Sequence, residues 1–252
     1  MPQDSFEIAV PGDISPGQTL LIGPANLGMA GVTAADYLVR HLDSEKIGHI
    51  TPEELPAITP FEDGKPRHHT RLYNLTNFDL TVVVGELFVP VWAARPFTEA
   101  LIEWVSTNRI EEIVLLHGVP FPHGPEEHAV FYVASEPYRE TRLAETDLQP
   151  LRGGFLDGVA GELISKSVDG EIPPVGVYVT PTHPPGPDID AAFKFFDAIE
   201  SVYGVEVDRA ELEQRSEELK RYYSNLAERM ATLEEENQRS RNREYPEDRT
   251  YM

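Results

Sequence analysis

A chain of 252 residues with 43 acidic against 21 basic side chains, a formal charge of −22 and no cysteine can bury one sizeable core plus an appendage. It has no disulfides, thiolate nucleophiles, cysteine-ligated zinc or iron–sulfur clusters. So negative a chain is not expected to bind nucleic acid or anionic membrane in general, since both need cationic patches to displace counterions.

Residues 1–204 read as one α/β domain. Thr19-Leu-Leu-Ile22 is a short apolar strand that runs into the turn Gly23-Pro-Ala-Asn-Leu-Gly28, and residues 29–42 follow as a helix. Further strands are expected at 80–84, 113–116, 129–133 and 175–179, β-branched and apolar on both faces, as in a sheet covered on each side. Helices are expected over 97–107, where Phe97, Leu101, Trp104 and Val105 make one stripe, over 155–168, and over 189–203 through Phe193, Phe196 and Ile199. The alternation predicts a three-layer α/β/α sandwich.

After Gly204 the pattern changes. Asp208-Arg-Ala-Glu211 fits a capping box that opens a helix. Leu212, Leu219, Leu226 and Leu233 then recur seven apart, with Ser216, Tyr223, Met230 and Asn237 as companions, so 205–237 reads as a long helix. Its seam fits a coiled coil or a partner, or else it folds back on its own domain. Residues 238–252 have no apolar periodicity and read as a flexible tail that presents Thr250-Tyr251-Met252. A tyrosine near a free carboxylate suits pocket insertion, because carboxylate capture and a ring with a polar tip are both used in peptide recognition.

Few constellations point to chemistry. The turn from Gly23 through Asn26 and Gly28 opens a helix and could hold an anion, but close packing of helix on sheet is the preferred reading. Glu86 follows a strand, where α/β sheets bind ligands; tying down a loop is the plainer role. His117, His123 and His128 match no compact ligand spacing, so no metal and no cofactor are expected. Ser165 and Ser167 lack a nucleophile elbow. Asp188 and Asp190 open a helix, which capping explains. No catalytic residue is assigned. The first residues carry no basic segment before an apolar run, and no run of about 18 apolar residues occurs. A soluble cytoplasmic chain is expected.

Five lysines beside sixteen arginines and many acidic residues resemble the surfaces of proteins from salt-loving archaea. Several segments taken in order also resemble one family. Gly23-Pro-Ala-Asn-Leu-Gly28 before Ala34-Ala-Asp-Tyr-Leu38 is similar to the first glycine turn and helix of the proteasome assembly chaperone 2 family. Asp79-Leu-Thr-Val-Val-Val-Gly-Glu86 resembles its aspartate-led strand, Ile110–Gly118 its next strand with His117 where glycine is more usual, and Gly153–Gly161 and Asp188–Ala192 its later segments. The resemblance implies a phosphorylase-like α/β/α fold, homo-oligomers, and a C-terminal hydrophobic-Tyr-any motif that docks between α-subunits of the 20S proteasome. Tyr251 and Met252 match that motif, and Thr250 departs from its hydrophobic position. The alternative is an enzyme with a phosphorylase-like or ligase-like site that binds a nucleotide or nucleoside at Gly23, Asn26, Gly28 and Glu86.

Overall fold

Four apolar runs become neighbouring parallel strands, and the helices are laid over both of their faces. The computed structural model describes residues 6–12, 14–53, 55, 58–121, 124, 128–183, 187–210, 218, 221, 222, 224–226, 228, 229 and 232. In chain order its elements are β1 (Phe6–Ala9), β2 (Thr19–Pro24), α1 (Ala30–His41), β3 (Ser44–Pro52), β4 (Phe61–Glu62), β5 (Lys65–Pro66), β6 (Thr70–Leu75), β7 (Leu80–Gly85), α2 (Val91–Thr107), β8 (Glu112–Val119), β9 (Phe131–Ala134), α3 (Glu136–Tyr138), β10 (Gln149–Pro150), α4 (Gly158–Val168), β11 (Val175–Pro181) and α5 (Ile189–Tyr203). Among the described residues, nine strands form one sheet in the order β1-β3-β6-β7-β2-β8-β11-β9-β10. β7, β2, β8 and β11 are mutually parallel. β1, β3 and β6 extend the sheet antiparallel on one side, and β9 pairs antiparallel with β11 on the other.

Because successive side chains on a strand point to opposite faces, the apolar runs feed two cores. Leu20, Ile22, Val83, Leu115 and Val177 pack against Phe97, Leu101 and Trp104 of α2 and Leu163 of α4. Leu21, Val82, Val114 and Leu116 pack against Leu38 of α1 and Phe195, Phe196 and Ile199 of α5. Each such side chain, taken fully from water, contributes about 1.5–3 kcal/mol. The sandwich is therefore α/β/α, as the alternation predicted.

The expected strands at 80–84, 113–116 and 175–179 lie within β7, β8 and β11, while the one expected at 129–133 is displaced to Phe131–Ala134. Helix α2 begins at Val91 rather than Phe97 and carries Pro96 inside it, a residue that ordinarily marks a helix start or break. β3 and β6 were not expected at all. Their sequences, Ser-Glu-Lys-Ile-Gly-His-Ile-Thr-Pro and Thr-Arg-Leu-Tyr-Asn-Leu, mix charge into the strand, because β6 carries part of an ion network.

Gly204 ends α5 in the left-handed region at φ 66°, its N–H returning to Glu200 O. Beyond it, Asp208 Oδ1 accepts from Ala210 N at 3.0 Å, as a cap does. The described residues from Glu218 to Thr232 have helical backbone. Tyr222 and Leu226, one turn apart, pack against the α1/α5 core of their own domain. The seam residues Leu212, Leu219, Tyr223, Met230 and Leu233, and the tail with Thr250, Tyr251 and Met252, lie outside the described residues.

Candidate functional site

The carboxyl ends of the parallel strands carry the sequence-predicted ligand residues. β2 and β7 finish in register, Pro24 opposite Gly85, and Ala25 N donates to Gly85 O at 2.6 Å. A Cβ on Gly23 would overlap the Ala35 methyl and the Gly31 carbonyl, and one on Gly31 would stand 2.7 Å from the Leu116 carbonyl. These glycines thus let α1 lie close on the sheet. Gly28, at φ 73°, backs onto the Thr182 side chain. Asn26 meets His117, Nδ2 to Nδ1 at 3.3 Å, and burial pushes the His117 imidazole down from its ordinary pKa.

Glu86 is fully buried and its carboxylate is taken up by neighbours. Arg67 donates to it through both terminal nitrogens, at 2.6 and 2.9 Å, and Arg71 Nη2 lies 3.4 Å away. The Tyr222 hydroxyl accepts from Arg67 at 2.8 Å and donates to Glu86 at 3.0 Å. Arg71 continues to Asp36 at 3.2 Å, Asp36 to Arg40 at 2.7 Å, and Arg40 to Glu62 at 2.8 and 2.9 Å. Three carboxylates thus face three guanidiniums. Burial pushes the Glu86 carboxyl up while Arg71 and Arg67 pull it back, and burial with the Glu86 charge pushes the Tyr222 phenol up, so the phenol stays a donor. In this network Glu86 ties a loop and a helix to the sheet.

A second cluster lies at the end of β11. Asp188 caps α5, its Oδ1 accepting from Ala191 N at 3.0 Å, and its Oδ2 accepts from His183 N at 2.9 Å. The same oxygen is 2.7 Å from His183 Nδ1. Asp188 N donates to Gly28 O at 2.7 Å, which fastens the cap to the glycine turn. Burial alone would raise the Asp188 carboxyl, but the bonds from Ala191 and His183 outweigh it and hold it below its usual range. The His128 ring meets the His183 ring edge-on, centroids 5.4 Å apart. Donor atoms of His128, His183 and Asp188 lie within 4.8 Å of one another. The histidine stretch is therefore dispersed: His117 goes to Asn26, His128 to His183 and Asp188, and His123 lies outside the described residues. Ser167 on α4 donates to the Pro173 carbonyl at 3.4 Å.

The family model described as PAC2 family matches residues 20–227, most of the chain. The chain belongs to the PAC2 family. Its fold is similar to that of PbaA from Pyrococcus furiosus, an archaeal homolog of proteasome-assembly chaperone, with a TM-score of 0.78 at 18% identity over 91% of this chain and 99% of that one. A protein of unknown function from Thermoplasma acidophilum aligns with a TM-score of 0.77 at 26% identity, over 89% and 91% of the two chains. Pyrococcus furiosus PbaB, an archaeal proteasome activator, aligns with a TM-score of 0.71 at 18% identity, over 89% and 100%. No curated protein matches the chain.

Two features of this PAC2 protein were not legible in the sequence. Tyr222 falls beside the heptad seam, which selects Tyr223, yet among the described residues it is Tyr222 that reaches Glu86. His183 lies in a proline-rich connection, and its only local cue is Asp188 five residues on. No helix among the described residues is long and apolar enough to cross a membrane.

Proposed function

We propose that this PAC2 protein is a non-enzymatic, homo-oligomeric proteasome assembly chaperone or adaptor of the cytoplasm, and that Thr250-Tyr251-Met252 docks into pockets between α-subunits of the 20S proteasome. The observation that carries this reading is the family match over residues 20–227, with fold likeness to an archaeal homolog of proteasome-assembly chaperone and to an archaeal proteasome activator. In this reading the Tyr251 ring wedges between subunits with its hydroxyl hydrogen-bonded. Thr250, in place of a hydrophobic residue, weakens each single contact. Several tails on one oligomer offset that weakness, since linked copies gain about 10²–10⁴-fold through effective concentration when geometry permits. Of the expected seam Leu212, Leu219, Tyr223, Leu226, Met230 and Leu233, Leu226 instead packs on its own domain, and the other five are the proposed surface for self-association or a partner helix.

The competing reading, an enzyme that binds a nucleoside at Gly23, Asn26, Gly28 and Glu86, is disfavoured by local chemistry. Glu86 is already bonded to Arg67 and Tyr222, and the glycines are filled by packing. Co-purification tests the proposal. Deleting Tyr251 and Met252 is expected to abolish recovery of 20S proteasome from cytosol and to leave oligomer size unchanged. Undiminished recovery would overturn it.

A further inference from the structure

We infer that His128, His183 and Asp188 form a binding site for one divalent first-row transition metal ion, of which zinc is the representative. The three residues come from three separate segments. His128 precedes β9, His183 follows β11, and Asp188 opens α5. Their donor atoms nonetheless lie within 4.8 Å of one another. Donors about 2.0–2.1 Å from a tetrahedral zinc ion stand about 3.3 Å apart, so closure needs a swing of roughly 1–1.5 Å at the side-chain ends. His183 can supply it, being 64% exposed at its side chain, while Asp188 is held at 6% exposure.

Asp188 is the fixed member. Its Oδ1 is committed to the α5 cap and its backbone N–H to the Gly28 carbonyl, while Oδ2, which accepts from His183 N at 2.9 Å and lies 2.7 Å from His183 Nδ1, faces the imidazoles and has a second lone pair to offer an ion. The ion replaces the hydrogen bond between Asp188 Oδ2 and His183 Nδ1, so that Oδ2, a nitrogen of His183 and a nitrogen of His128 become its three protein ligands. Two imidazoles with one carboxylate suit zinc, nickel or iron and not calcium or magnesium, which take oxygen ligands. The set leaves room for water in the remaining coordination position. The ion would clip the connection that enters β9 to the one that leaves β11, at the edge where Gly28 anchors α1 to α5.

The test uses the full chain, stripped with a chelator and titrated with zinc by calorimetry at high potassium chloride, where nonspecific attraction to the acidic surface is screened. One zinc per chain is expected, with at least a tenfold loss of affinity in each of His128→Ala, His183→Ala and Asp188→Asn. Asparagine preserves the helix cap, and His183 is exposed, so these two variants keep the fold; a raised thermal midpoint with zinc in the wild type but not in His183→Ala reports the site independently of enthalpy. Magnesium should give neither signal. No stoichiometric uptake, or zinc uptake and midpoint shift equal in the wild type and in His183→Ala, would mean an adventitious ion only and would overturn the site.

Discussion

The cluster around Glu86 and the cluster around Asp188 lie along the same edge of the sheet but are built differently. Around Glu86, Asp36, Glu62 and Glu86 oppose Arg40, Arg67 and Arg71, so formal charge cancels and the buried carboxylate is surrounded by donors. Around Asp188, one carboxylate faces two imidazoles with one of them at the surface. A balanced, desolvated network is mechanical. It joins β6, β7, α1 and the helix that carries Tyr222, and little of it remains for a ligand. A carboxylate beside two imidazoles brings together donor atoms of the kind that bind a transition-metal cation.

Arg67→Ala is expected to have the largest effect on the Glu86 network and none on the Asp188 cluster. It leaves Glu86 buried without its bidentate partner, and removing one member of a buried pair costs about 3–5 kcal/mol. Denaturant unfolding measures it. A loss under about 1 kcal/mol would mean that water reaches Glu86 and that the network is not the closed one described.

Next in size is a pH effect beside the same network. Burial, with His68, His49 and Arg71 as like charges, pushes His69 down to about 4, against about 6.5 in the unfolded chain. Between those values the unfolded chain binds the proton and the folded one does not, so stability is full above pH 6.5 and falls as the solution is acidified towards pH 4. From pH 7 to pH 5 the loss due to His69 is about 2 kcal/mol, and His69→Asn should flatten the pH dependence of the unfolding free energy by that amount. An unaltered slope would place His69 in water.

The smallest effect sharpens the role of the C-terminal helix. Tyr222→Phe removes a hydroxyl that bridges Arg67 and Glu86 but keeps the ring packed on the core. A loss of about 1–2 kcal/mol is expected, since a charged group loses a hydrogen-bond partner. Hydrogen exchange around Arg67 and Tyr222 should rise with it. No change in either measurement would mean that the helix is not docked through this contact.

The contrast also shows what the amino-acid order could disclose. β2, β7, β8 and β11 were legible because strands buried on both faces need unbroken apolar runs, and α5 because Phe193, Phe196 and Ile199 repeat at helical spacing. β3 and β6 were not, since Lys46 is exposed, His49 stacks on His68 and Arg71 joins the ion network, which blurs the alternation. Asp188 was readable as a cap because capping is local. Its meeting with His128 was not, because the order of β8, β11 and β9 in the sheet creates it. Arg67, Arg71, Tyr222 and Glu86 likewise meet only through tertiary packing, and a heptad count cannot see a partner on its own domain.

Whether the tail docks is read from binding of purified 20S proteasome to the immobilised full chain, compared between the intact protein and Tyr251→Ala at one fixed salt concentration. The intact chain should bind with the slow release of a multivalent contact, and Tyr251→Ala should lose binding while keeping the same oligomer size and unfolding midpoint. Equal binding by the two proteins would contradict a docking tail.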